Sequence, residues 1–194
     1  MAGQLKVGGN IIASHSGVEG AGEVTLQNAT LDSGVVFPAN KIINVHSVAK
    51  TDNFSTLVEN SWVDITGLSV SFTKSSSSKI LVMVMLSIGS PNNYQRVFRL
   101  NRNGSGIFTN TSTASGLKGT IGQPNEYAGS DRQLSTHPMI YLDTTSATFM
   151  TYKVQGFTPS ASADHVGFYV NVPYSPDSNS HLAVSSITCF EISQ

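Results

Sequence analysis

Apolar and polar positions alternate most clearly over residues 62 to 88, WVDITGLSVSFTKSSSSKILVMVMLSI. Leu68, Val70 and Phe72 alternate with Ser69, Ser71 and Thr73, the period of a strand with one wet face. Lys74 to Lys79 is a polar, serine-rich turn. Ile80 to Leu86 then runs ILVMVML without a polar break, as in a strand covered on both faces. The two pieces predict a β-hairpin. The domain's own core covers one face of its second arm, and something else, such as another subunit, covers the other. Ile80, Val82, Val84 and Leu86 are the candidate core or subunit-contact positions, together with Phe190 and Ile192 near the C-terminus.

The same reading finds strands elsewhere. Lys41 to Val48 comes first, and Ser61 to Ile65 precedes Leu68 to Thr73. Gln95 to Asn101 leads into Asn103-Gly104, the strongest short hairpin-turn signal in the chain, with Gly106 to Thr109 as the return arm. Residues 110 to 137 read as a long polar connection. Pro138 to Asp143, Thr148 to Phe157, Val166 to Val172 and His181 to Ile192 complete the series. In Thr148 to Phe157, Met150, Tyr152 and Val154 share one face, and Phe149, Thr151, Lys153 and Gln155 share the other. No stretch carries a capped apolar stripe of helical period. The expected fold is all-β: an antiparallel jelly-roll or β-sandwich head over residues 41–194. The last strand should be locked into a sheet.

Residues 1–40 differ. Gly8, Gly9, Gly17, Gly20, Gly22 and Gly34 punctuate apolar pieces too short to form a core, such as Leu5-Lys6-Val7 and Val24-Thr25-Leu26. Such a segment is either loose or stabilised by a partner, for instance by strand addition. It is expected to be a docking or stalk segment, with Pro38 near its boundary.

Composition narrows the function classes. Only 12% of the 194 residues are charged, 11 basic against 12 acidic, and no basic stripe is present to neutralise phosphates. Nucleic acid is therefore not an expected partner. The first residues lack the apolar core of a signal peptide, and ILVMVML is too short to cross a membrane as a helix. No membrane partner is expected. The single cysteine, Cys189, excludes an internal disulfide and lies in an apolar run that suits packing.

A search for chemistry returns little. The five histidines show neither His-x-His nor HExxH spacing. Asp164-His165 would point to opposite sides of a strand. There is no GxSxG elbow, and the Asn103-Gly104-Ser105-Gly106 stretch lacks the Lys of a phosphate-binding loop. The expectation is a protein that is not an enzyme, with no catalytic residue, no metal and no cofactor. Two carboxylates at glycosidase separation leave no sequence trace, so a carbohydrate-active or carbohydrate-binding β-sandwich stays open as an alternative.

WVDITGLSVSFT, the serine-rich turn with KILVMVMLS, RLNRNGS, YLDTTSATFMTYKVQ and the terminal VSSITCFEI, in that order, resemble the heads of small structural proteins of tailed bacteriophages, those of cyanophages above all. MAGQLKVGGNIIASHSG and TLQNATLDSGVVFPA look like the leaders of such fibre-like proteins. The resemblance implies a head similar to the tumour-necrosis-factor/C1q jelly roll. It implies a homotrimer made in the host bacterial cytoplasm and placed on the virion surface, with residues 1–40 docked to capsid or tail proteins. With so short a leader, a capsid decoration (cement or head-fibre) role is expected. A tail-fibre or receptor-binding head for host attachment is the alternative. In that case outer-loop residues Tyr94, Arg96, Tyr127, Arg132 and Tyr174 would meet a host glycan or protein, since Tyr and Arg are enriched in binding hot spots.

Overall fold

A computed structural model describes residues 4–7, 10–14, 40–89, 96–113, 115, 118–123, 134–159, 167–178 and 180–194. The chain divides into two units, residues 1–36 and 37–194. In the first, β1 (Gln4–Val7) and β2 (Asn10–Ser14) pair antiparallel. The pieces at 24–26 and 35–37 lie outside the described residues.

The second unit is all strand among the described residues. Its elements are β3 (Ile42–Lys50), β4 (Phe54–Thr56), β5 (Trp62–Thr73), β6 (Lys79–Gly89), β7 (Arg96–Arg102), β8 (Ser105–Ile107), β9 (Ile121–Gln123), β10 (Ser135–Asp143), β11 (Phe149–Phe157), β12 (Phe168–Val170) and β13 (Ser185–Ile192). They form a six-stranded sheet, ordered β3-β13-β6-β12-β4 with β10 also on β6, and a five-stranded sheet, ordered β5-β11-β7-β8 with β9 also on β7. The pairing is nested. β3 pairs with β13, β4 with β12, β5 with β11, β6 with β10, and β7 with β8 and β9. Each strand meets its counterpart counted from the other end of the head, as in a long hairpin rolled up. Further pairs, β13 with β6 and β11 with β7, close the roll into two sheets. This is a jelly roll.

The core lies between the sheets. Ile80, Val82, Val84, Leu86 and Ile88 of β6 face Leu68, Val70 and Phe72 of β5 and Met150, Tyr152 and Val154 of β11 within one buried cluster. Alternation sets the other side chains on the outer faces. The division of β11 into two faces is as the sequence indicates: the even-numbered residues are buried and the odd-numbered ones are not. β13 is sandwiched between β3 and β6, which explains how the C-terminus is locked in.

One expectation is overturned. Residues 62 to 88 are not a hairpin, because β5 and β6 lie in different sheets. The serine-rich turn is a corner between the sheets. Lys74 is buried there, and its Nζ donates to the carbonyls of Ser75, Ser76 and Ser78 at 3.0, 3.5 and 2.8 Å. Glu191 Oε1 accepts from Ser75 N–H and Ser78 Oγ, which pins the corner to β13. Alternating strands joined by a polar turn can pair edge to edge or stack face to face. The buried lysine, which reads in sequence as solvated, selects the second.

Two smaller differences follow from local backbone. Ser61 to Ile65 and Leu68 to Thr73 merge into β5, whose pairing with β11 shifts register opposite Val154. Gly67, at φ 86°, supplies the left-handed turn within this bulge. The hairpin at Asn103-Gly104 is present, with φ 49° and 90° at those residues. Positive φ at both central positions is what a type I′ turn requires. The connection expected over residues 110 to 137 contains β9, and β10 starts at Ser135.

Candidate assembly surface

The outer faces of the two sheets differ in chemistry. On the six-stranded sheet, register aligns outward residues in rows across β3, β13, β6 and β10. One row is Val45, Phe190, Leu81 and Leu142; the next is Ser47, Thr188, Met83 and Ile140; the third is Ala49, Ser186, Met85 and Pro138. None of these residues is charged. Met83 is 37% exposed, Met85 45%, Leu142 48%, Val45 51% and Ile140 55%. The polar positions are already paired within the chain: Ser47 Oγ and Thr188 Oγ1 lie 2.8 Å apart. The three rows make a contiguous, largely apolar strip on the outer face.

On the five-stranded sheet the outward residues in the middle of β5 and β11 are polar and interlinked, with Phe149 at one end and Trp62 and Phe157 at the other. Asp64 accepts from Lys153 Nζ at 2.8 Å and from Gln155 Nε2 at 2.7 Å. The Lys153 hydrogen bond, against a smaller opposing effect of burial, holds the Asp64 carboxyl below the usual carboxylate range. Ser71 and Thr151 pair through their hydroxyls at 2.9 Å.

Between the sheets lies an ionic cluster that sequence reading missed. Arg102 Nη1 donates to both carboxylate oxygens of Asp143 at 2.7 Å, and Tyr152 Oη donates to Asp143 Oδ2 at 2.8 Å. Asp143 is buried at the end of β10. Burial, reinforced by the hydrogen bond to Asp143, pushes the Tyr152 hydroxyl far above its ordinary range. Burial alone would lower the Arg102 pKa, but Asp143 outweighs it and the net shift is upward. Each member satisfies another, so the cluster is a structural tie rather than a reactive centre.

The candidate residues fall in several places. Ile80, Val82, Val84 and Leu86 point into the core, so the part of β6 that faces outward is Leu81, Met83 and Met85, with Lys79 at the start of the strand. Phe190 lies on the outer face, in register with Leu81 and Val45, and Ile192 follows two residues on. Arg96 is a correction. It is fully buried at the start of β7, with Nε donating to the Gly167 carbonyl at 2.5 Å, so it holds a loop base and is not an outer-loop contact. Tyr174 is partly buried and packs edge-on against Tyr169, ring centres 5.3 Å apart. Tyr94, Tyr127, Arg132 and the Asp164-His165 pair lie outside the described residues. Cys189 is buried between the sheets, and burial pushes its thiol up to about 12. Among the described residues, no group of three or more His, Cys, Asp or Glu converges as a metal site would require.

No protein-family model matches the chain, and no curated protein matches it. Two solved structures are similar to it. One is a structure of infectious bursal disease virus, Gx strain, at TM-score 0.42 and 12% identity, covering 87% of this chain and 46% of that one. The other is of the Gt strain, at TM-score 0.34 and 14% identity, covering 87% and 45%. The chain thus spans less than half of either. At these TM-scores neither likeness bears on function.

Proposed function

We propose that this chain is a non-enzymatic structural protein of a bacteriophage virion surface. It assembles as a homotrimer and acts as a capsid decoration protein, with residues 1–40 as its attachment segment. The observation that carries the reading is the strip of three uncharged, largely apolar rows on the outer face of the six-stranded sheet, with Lys79 beyond its edge beside Ile192. Around a threefold axis the residues nearest the axis meet their own copies, so any charge there would meet its like. A face of Leu81, Met83, Met85, Pro138, Ile140, Leu142, Val45 and Phe190 avoids that cost, and a second and third copy of the chain are the occupants that suit it. The resemblance of the strand motifs and leader to small phage structural proteins supports the same reading. Three attachment segments on one trimer would act together, so weak single contacts become firm through effective concentration.

Sedimentation equilibrium of the full chain at micromolar concentration tests the assembly. The expected mass is three times that of the 20.6 kDa chain, and a clean monomer overturns the trimer. Gold labelling of particles tests the role. Label spread over the capsid shell supports decoration, whereas label confined to the tail replaces it with a host-attachment head.

A further inference from the structure

We propose that the outer face of the five-stranded sheet holds a binding site for a carboxylate-bearing saccharide, built on Arg99, Trp62 and Phe157. This surface lies on the opposite side of the sandwich from the apolar face, and the site stands whether or not the chain assembles. Arg99 projects from β7 and is fixed in two ways. Its Nε donates to Gln155 Oε1 at 2.8 Å, and its guanidinium carbon lies 3.9 Å from the centre of the Trp62 ring. A guanidinium held by a ring and a hydrogen bond is pre-organised, and little freedom is lost when it binds.

The acceptors nearest it are engaged with other donors, and Asp64 acts on Arg99 through its charge without a hydrogen bond to it. Asp64 accepts from Lys153 and Gln155, and Gln155 Oε1 also accepts from Asn101 Nδ2 at 3.3 Å. Among the described residues, Nη1 and Nη2 of Arg99 have no acceptor. The face therefore presents unpaired guanidinium donors, with the nearest carboxylate directed to Lys153 and Gln155. Two cations, Arg99 and Lys153, stand against one anion, Asp64, so the patch is locally positive on a chain whose formal net charge is −1. A carboxylate matches both the free fork and the sign.

Phe157 lies directly opposite Trp62 in register, with ring centres 5.3 Å apart. Phe157 and Trp62, both partly exposed and tilted 54° to each other, supply apolar surface beside the fork. Apolar surface with a few placed polar groups is the usual composition of a small-molecule site, and the C–H face of a sugar ring suits this one. Gly106 keeps the fork open, since a Cβ there would stand 2.7 Å from Arg99 Nη1. The residues sit on paired strands, which hold such a constellation more firmly than loops do.

The test is titration calorimetry of the full chain with trigalacturonic acid and 3′-sialyllactose, against galactotriose and lactose as neutral counterparts. At least one acidic probe should bind tenfold or more tighter than its neutral counterpart. R99Q should erase that preference. R99K, which keeps the charge but loses the planar fork, should also lose most of it. Thermal midpoints of both variants serve as the folding control, and K118Q should bind as the wild type does. Equal affinity for acidic and neutral probes, no binding of either acid at millimolar concentration, or a preference that survives R99Q would overturn the proposal.

Discussion

Replacing Met83 with lysine is the sharpest test of the assembly face. Met83 sits in the middle row, flanked in register by Thr188 and Ile140. Burying a methionine side chain in full contributes about 1.5–3 kcal/mol. With 37% of the residue still exposed in the single chain, association has about a third of that left to gain, on the order of 1 kcal/mol per copy. Three copies lose about 3 kcal/mol when the methionine goes, roughly a hundredfold in the assembly constant. Three ammonium groups then have to be desolvated beside one another, which costs several kcal/mol more. The isolated head should tolerate the change, since Met83 points away from its core. The expectation is a folded M83K with the far-ultraviolet circular dichroism of the wild type, sedimenting as a monomer where the wild type is a trimer. S69K, an exposed position on the polar sheet, should leave the trimer intact. M83K associating with wild-type concentration dependence would refute the reasoning, as would S69K dissociating just as M83K does.

Three further predictions concern the head. G156A places a Cβ 2.4 Å from the Phe168 ring and 2.9 Å from the Phe98 ring, so overpacking should cost about 1–3 kcal/mol and lower the thermal midpoint by several degrees, checked by calorimetry. D143N removes the charge that Arg102 and Tyr152 share, and chemical denaturation should show a loss of about 2–3 kcal/mol; a loss below about 0.5 kcal/mol would mean that water replaces the tie. Stability should decline at alkaline pH, because Cys189 is raised from 9.0 to about 12 and Tyr152 is raised as well. Both folded-state values exceed the unfolded ones, so the contribution is whole below about pH 9 and is lost as pH rises toward 12. Denaturation midpoints between pH 8 and pH 11 check this in about one-unit steps, and C189A should flatten the decline between about pH 9 and 10 and leave the Tyr152 slope above about pH 10.

Where alternation was clean, the sequence alone was enough to read the fold. β11 shows why: each inward residue from Met150 to Val154 is apolar and each outward one between the terminal Phe149 and Phe157 is polar, so face and period are both visible. Asn103-Gly104 was legible because few residues tolerate positive φ twice in succession. Sheet membership was not legible. β5 and β6 obey the same strand grammar whether they pair or stack, and the lysine that decides between them looks like any solvated lysine until its carbonyl partners are placed. Arg96 misled for the same reason, as a charged residue beside a loop whose buried carbonyl partner comes from Gly167. The Arg99 constellation was hidden because Trp62, Arg99 and Phe157 come from three strands far apart in the chain, and only the register of β5, β11 and β7 brings them together.

The two sheets also explain why ILVMVML departs from the pattern of its neighbours. β5 turns Ser69 and Ser71 outward and β11 turns Thr151 and Lys153 outward, so the middle of their sheet is finished when it meets water. β6 places Leu81, Met83 and Met85 at the equivalent positions, and β10 sets Leu142, Ile140 and Pro138 directly beside them. The core does not require this, because Ile80, Val82, Val84 and Leu86 already fill it from the other face. Nor does strand pairing, because Ser or Thr would serve a solvent-facing row as they do on β5. Two adjacent strands with the same surplus on the same face imply one requirement acting on both. Contact with another apolar surface meets that requirement, and in a chain where only 12% of residues are charged, a copy of the same face offers such a surface without unpaired charge.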